Sequence, residues 1–177
     1  WRRFESSASA DDQAMSVFQR WGFSARGWLD GRRGEFWLLA QLVLLVVFTG
    51  LPAWPSAGPL LARVLGIAVI VAGVVLAWIA IRSMGRSLTP LPHPPDESQL
   101  VTTGVYAHVR HPIYGSVILM TLGTSLALWS LTHLAGTLLL LLFFDAKARR
   151  EEAWLRQRFP DYAGYAARVA KLLPGIY

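Results

Sequence analysis

Two stretches of this sequence concentrate side chains able to do chemistry. Between Gly104 and Tyr114 (GVYAHVRHPIY) stand Tyr106, His108, Arg110, His111 and Tyr114. They combine hydrogen-bond donors, aromatic rings and a fixed cation, a set suited to an anionic or polar ligand. Between Asp145 and Phe159 (DAKARREEAWLRQRF), Lys147, Arg149 and Arg150 precede the paired carboxylates Glu151 and Glu152. Such carboxylates can hold an ammonium or a hydroxyl, and the cations can hold an acid. His108 and His111 also form an H-x-x-H pair, but no third ligand lies at helical spacing and Pro112 disfavours a helical face shared by both histidines. No metal site is expected. With no cysteine in the chain, thiolate catalysis, disulfides, zinc–thiolate sites and a C-terminal prenylation signal are excluded.

The elements that must position these groups are apolar runs. Of the 177 residues, 54% are hydrophobic and 16% charged, with a mean hydropathy of +0.39. Soluble domains carry roughly a quarter charged residues, so the bilayer is the expected solvent. A crossing helix needs about 20 largely apolar residues, and four stretches are candidates: Phe36 to Leu51, Val64 to Ile81, Ile113 to Trp129 and Thr132 to Phe144. The last two form a tight hairpin turning at Ser130 and Leu131, and the fourth, short for a crossing, should continue into water as the charged segment. Ala68 with Ala72, and Gly123 with Ala127, are small residues at a spacing that permits close helix packing. The expected fold is an all-α integral membrane protein with four transmembrane helices, a cytoplasmic loop and a C-terminal helical tail. Ala14, Val17, Phe18 and Trp21 predict an amphipathic helix on the interface. The chain divides accordingly into an interfacial segment (1–35), the first two helices with a Pro-rich loop (36–99), and the hairpin with its flanking polar segments (100–177). Beginning at Trp1 rather than Met, it is read as a trimmed or renumbered chain.

Charge orients the helices. With four crossings, every Lys and Arg other than Arg63, and all 11 Asp and Glu, fall on one side. Basic residues beside spans stay cytoplasmic, so both termini are expected there. The formal net charge of +6 is then explained by topology, and nucleic acid is not needed as a partner. The cytoplasmic face also carries a long loop, stiffened by Pro90, Pro92, Pro94 and Pro95, and a tail. A site should lie between them. If the fourth helix continues unbroken, Phe144, Ala148, Glu152, Leu155 and Phe159 form one stripe. That places Glu152 inside an apolar face, either paired with Arg156 four residues on or aimed at a ligand. Glu151 falls on the adjacent row with Lys147, Trp154 and Arg158, and is expected to be the more solvated carboxylate.

At these residues the chain resembles a known family. LVTTGVYAHVRHPIY, followed after an apolar hairpin by EEAWLRQRFPDYAGYAARVAKLLPGIY, is similar to the isoprenylcysteine carboxyl methyltransferases, relatives of the membrane phospholipid methyltransferases. The resemblance covers about Leu100 to Tyr177. It implies methyl transfer from S-adenosyl-L-methionine, with cofactor contacts among Gly104, Tyr106, Val109, Arg110, His111, Tyr114, Glu151 and Glu152. It further implies Glu152, Arg149 and Arg150 near the reacting groups, and Lys147 and Arg168 as contacts for a lipophilic or lipid-like acceptor such as a carboxylate, entering from the membrane. Removing Glu152 or His111 should then abolish cofactor binding and leave the fold intact. Two other readings are open: a membrane reductase using NADPH, since sterol reductases resemble the same half of the chain, and a non-catalytic scaffold or transporter. A dinucleotide phosphate would need several cations, and a transporter usually carries ionisable groups within its spans.

Overall fold

The computed structural model describes residues 34–88, 91 and 99–172. The amphipathic helix expected near the amino terminus, and all four prolines of the stiff loop, lie outside the described residues. Among the described residues five α-helices follow in order: α1 (Glu35–Thr49), α2 (Leu60–Met84), α3 (Pro112–Ala127), α4 (Leu131–Arg158) and α5 (Tyr162–Ala166). Among the described residues there is no β-strand, only one isolated parallel bridge between Val109 and Ala170.

The helices begin and end where local chemistry dictates. Pro112 opens α3 at a position that has no need of its missing N–H. Ser130 caps α4 by accepting from the His133 N–H at 3.2 Å. The hairpin turn is tight enough to put Trp129 in the left-handed region, at φ 50°. The fourth apolar run does continue without a break into the charged segment, giving a single helix of 28 residues.

Two helices, α2 with 25 residues and α4 with 28, are long and apolar enough to cross a membrane. The other two apolar helices, α1 and α3, have 15 and 16 residues, about 23 Å each at the usual rise. Large apolar side chains face outward along the bundle: Val46 is 70% exposed, Leu60 73% and Leu142 69%. In water such a continuous surface would be a liability; against acyl chains it is the expected exterior.

Packing between α2 and α3 runs backbone against backbone. A Cβ added at Gly66 would lie 2.4 Å from the Ala127 nitrogen and 2.5 Å from the Gly123 carbonyl oxygen. The small residues of α2 that pack are therefore Ala62, Gly66, Gly73 and Ala80, all buried; the Ala68 and Ala72 pair expected from spacing is exposed. Gly123 on α3 is buried as expected. At the far end, Leu131 N–H donates to the Trp54 carbonyl at 2.8 Å, and Thr132 Oγ1 donates to the Pro52 carbonyl. Ser130 Oγ meets His133 Nδ1 at 2.9 Å. Leu131, Thr132 and Ser130, which also accepts from Trp54 N–H, thus hold the hairpin tip to the α1–α2 connection, and the buried His133 fixes Ser130.

Candidate functional site

The loop and the tail meet, as their shared chemistry required. Backbone bonds join them first: Arg110 N–H donates to the Ala170 carbonyl at 2.9 Å and His111 N–H to the Lys171 carbonyl at 3.1 Å. Side chains reinforce the join. Arg110 Nη1 donates to the carbonyls of Ala166, at 2.6 Å, and of Val169. Tyr165 OH donates to the Tyr106 carbonyl at 2.6 Å.

Glu152 is the hub of this contact. One carboxylate oxygen lies 3.0 Å from both Arg110 Nε and His111 Nε2, and the other takes Arg156 Nη2 at 3.2 Å. The Arg156 pair expected from i, i+4 spacing is present, but the partners from the loop are the buried ones. Burial alone would raise the pKa of this carboxyl. The hydrogen bond and charge of His111, and then those of Arg110, outweigh it and hold Glu152 down at about 2. Glu152 stands on the charged extension of α4, two helical turns past Phe144. Since the folded value lies below the ordinary 4.5, its stabilisation is fully present above that pH and is lost as pH falls toward about 2. Unfolding of wild type and of Glu152→Gln, compared from neutral pH to about pH 2 in detergent, should show a stability gap that closes on acidification. A constant gap would mean that the carboxyl is not ionised in the fold.

Glu151, expected to be the more solvated carboxylate, is half-buried and lines a cavity. Successive helical residues are rotated by about 100°, and a buried stripe wider than that admits both rows. Glu152 consequently meets the loop while Glu151 lines a cavity of about 340 Å³, within the range of small-molecule sites. Tyr114 OH donates to Glu151 at 2.7 Å, and His111 Nδ1 is 3.7 Å from the same carboxylate oxygen. The His111 and Tyr114 rings stack at 5.3 Å and 3°. Its polar lining comprises Arg110, His111, Tyr114, Lys147 and Glu151, and its apolar lining includes Ile81, Ile113, Val117 and Phe144. Gln41, Met84 and Leu91 also line it, so the cavity draws on residues 36–99 as well as on the half that carries the motif.

Several expected contacts sit elsewhere. Val109 is buried beneath the loop–tail bridge, and Gly104, at φ 62°, turns the chain past Ser83; neither lines the cavity. Arg149 is largely exposed and pairs with Asp145 at 2.7 Å, Arg150 stacks over Trp154, and Arg168 is exposed. None of the three lines the cavity. Lys147, by contrast, is 1% exposed and donates to Gln41 at 2.5 Å. Gln41 is a polar residue within the otherwise apolar run FWLLAQLVLLVVF, and that is its signal in the sequence. The missed residues are Tyr162 and Tyr165, cavity-lining aromatics whose i, i+3 spacing puts them on one helical face. His108 is exposed while His111 is buried, so the H-x-x-H pair does not converge. Among the described residues no three His, Asp or Glu side chains cluster as a metal site would require.

The profile described as phospholipid methyltransferase matches residues 61–162, more than half of the chain and nearly all of this site. The chain belongs to that family, among its isoprenylcysteine methyltransferase-like members. It is 36% identical over 115 residues to a probable protein-S-isoprenylcysteine O-methyltransferase of Oryza sativa subsp. indica, covering 63% of this chain and 60% of the relative. It is 31% identical over 154 residues to the nickel-cobalt-cadmium resistance protein NccN of Alcaligenes xylosoxydans xylosoxydans, covering 82% of this chain and 65% of that one. The chain thus spans less than two thirds of the length of either relative. Its fold is similar to that of a eukaryotic intramembrane Ras methyltransferase, an isoprenylcysteine carboxyl methyltransferase, with a TM-score of 0.58 at 23% identity, over 98% of this chain and 55% of the other.

Proposed function

We propose that the protein is an integral membrane methyltransferase that uses S-adenosyl-L-methionine and acts on a lipophilic acceptor, a carboxylate fitting best. Four crossings, with both ends and the cavity on the cytoplasmic side, follow from the charge asymmetry. The observation that carries the reading is one cavity with two chemistries, lined by ionisable groups and by apolar side chains of α2, α3 and α4 together. Membership of the family supplies the reaction class.

The residues present fit the methyl donor. Glu151 offers a carboxylate for its ammonium, and backbone N–H groups with His111 suit its carboxylate. The face of Tyr106, which lines the cavity, favours a cationic sulfonium. When bound, this cofactor supplies a methyl group already activated by positive sulfur. What remains for the chain is orientation and exclusion of water: the apolar lining admits a lipid-like acceptor from the bilayer side, and Lys147 gives an acidic acceptor its counter-charge. Glu152 acts through Arg110 and His111 as a positioning residue. The reductase alternative has less support, because a dinucleotide phosphate needs several cations and, among the described residues, the cavity lining offers two, Arg110 and Lys147.

Calorimetric titration of the detergent-solubilised chain tests this. S-Adenosylhomocysteine should bind, Glu151→Gln should weaken it by about tenfold or more, and Arg63→Ala, on the opposite side, should not change it. Stabilisation by NADPH with none by S-adenosylhomocysteine would overturn the assignment. Transfer of label from radiolabelled methyl donor into lipid-extractable product, including a small prenylated cysteine, would identify the acceptor.

A further inference from the structure

One buried polar atom on the cavity wall has no partner among the described residues. Tyr162 is 1% exposed and lines the cavity, and its hydroxyl makes no hydrogen bond to any described residue. The cavity lining also carries the aromatic and apolar side chains of Tyr106, Leu155, Phe159 and Tyr165, while Glu152, Arg110 and Glu151 act on the phenol through their charges. The other hydroxyls there are engaged: Tyr106 OH contacts Met84 Sδ at 3.8 Å, and Tyr165 OH bonds the Tyr106 carbonyl. Buried hydroxyls are ordinarily paired, and one left without a partner inside a ligand cavity calls for one from the ligand.

We propose that Tyr162 is a ligand-binding residue whose hydroxyl hydrogen-bonds the edge of a flat heteroaromatic ring held between the aromatic walls. Resting on the methyltransferase reading above, that ring is the purine of the methyl donor. The shape argument is direct: aromatic walls with one unengaged hydroxyl complement a flat, weakly polar body with a hydrogen-bonding rim. A hydrocarbon chain would fill the same walls and leave the hydroxyl orphaned. Burial, and then the charge of Glu152, push the Tyr162 phenol well above its ordinary pKa, so it keeps its proton and remains able to donate.

Tyr162→Phe removes the oxygen and little else. Without ligand, the variant should melt at the wild-type temperature or higher, because an unpaired buried hydroxyl is lost. Its affinity for S-adenosylhomocysteine, and for adenosine competing with labelled S-adenosylhomocysteine, should fall by about tenfold each. Equal loss for both ligands places the contact on the purine nucleoside. Weakening of S-adenosylhomocysteine alone would overturn the ring assignment, and unchanged affinity for both would overturn the contact. A lower melting temperature without ligand would show that the hydroxyl is already partnered. Failure of the wild type to bind S-adenosylhomocysteine at all would remove the methyltransferase reading and this inference together, an outcome separable from the variant's behaviour.

Discussion

Glu152→Ala is expected to lower stability by about 3–5 kcal/mol, the range for removing one partner of a buried ion pair. The loss arises because Arg110 and His111 remain buried with no carboxylate between them. In a chain of this size that corresponds to a fall of roughly 10 °C or more in melting temperature, and ligand binding should go with it as the tail loosens from the loop. Spacing left Glu152 either paired with Arg156 or aimed at a ligand, and the family resemblance implied a cofactor contact whose removal spares the fold. Its three protein partners make it the tie between loop and tail instead. Arg156→Ala is the internal comparison: its side chain is 53% exposed, and an i, i+4 pair of that kind contributes about 0.3–0.5 kcal/mol. Thermal unfolding in detergent measures both. A Glu152→Ala protein melting within about 2 °C of wild type would show that the backbone bridge and Arg110 hold the tail unaided.

Gly66→Leu should be comparably severe, for a steric rather than an electrostatic reason. A side chain there must enter space occupied by the backbone of α3, with the Ala127 nitrogen and the Gly123 carbonyl oxygen within 2.5 Å of the new Cβ. Backbone cannot rotate aside as a side chain can, so α2 and α3 must separate, at a cost of roughly 3 kcal/mol, the upper end for overpacking. Within a bilayer no hydrophobic drive between helices offsets that separation, since lipid is as apolar as leucine. Ala68→Leu, on the exposed row of the same helix, should be nearly neutral. Melting temperatures of the two variants decide between the rows; equal effects would mean that α2 packs through both faces.

The sequence read alone was informative wherever one residue type has few physical uses. The apolar run of α2, too long and too uncharged for water, required a hydrophobic surrounding. Pro112 fixed the start of α3, and the unbroken helical stripe through Phe144, Ala148 and Glu152 announced both the length of α4 and the burial of a carboxylate. The motif around Arg110, His111 and Tyr114, with the paired glutamates, was sufficient to suggest the family.

Tertiary structure alone decided which of two equivalent rows faces inward. Residues one apart on α4 both border the buried stripe, so only the position of the loop assigns Glu152 to Arg110 and His111, and Glu151 to the cavity. The same holds for small residues on α2: spacing offers Ala68 with Ala72 as readily as Ala62 with Gly66, and the approach of α3 selects between them. Lys147 with Gln41, 106 residues apart, and the unengaged hydroxyl of Tyr162 are likewise products of long-range contact. A helix's periodicity specifies that a face exists and how wide it is, whereas the partner of each group on that face depends on what other segments bring within hydrogen-bond reach.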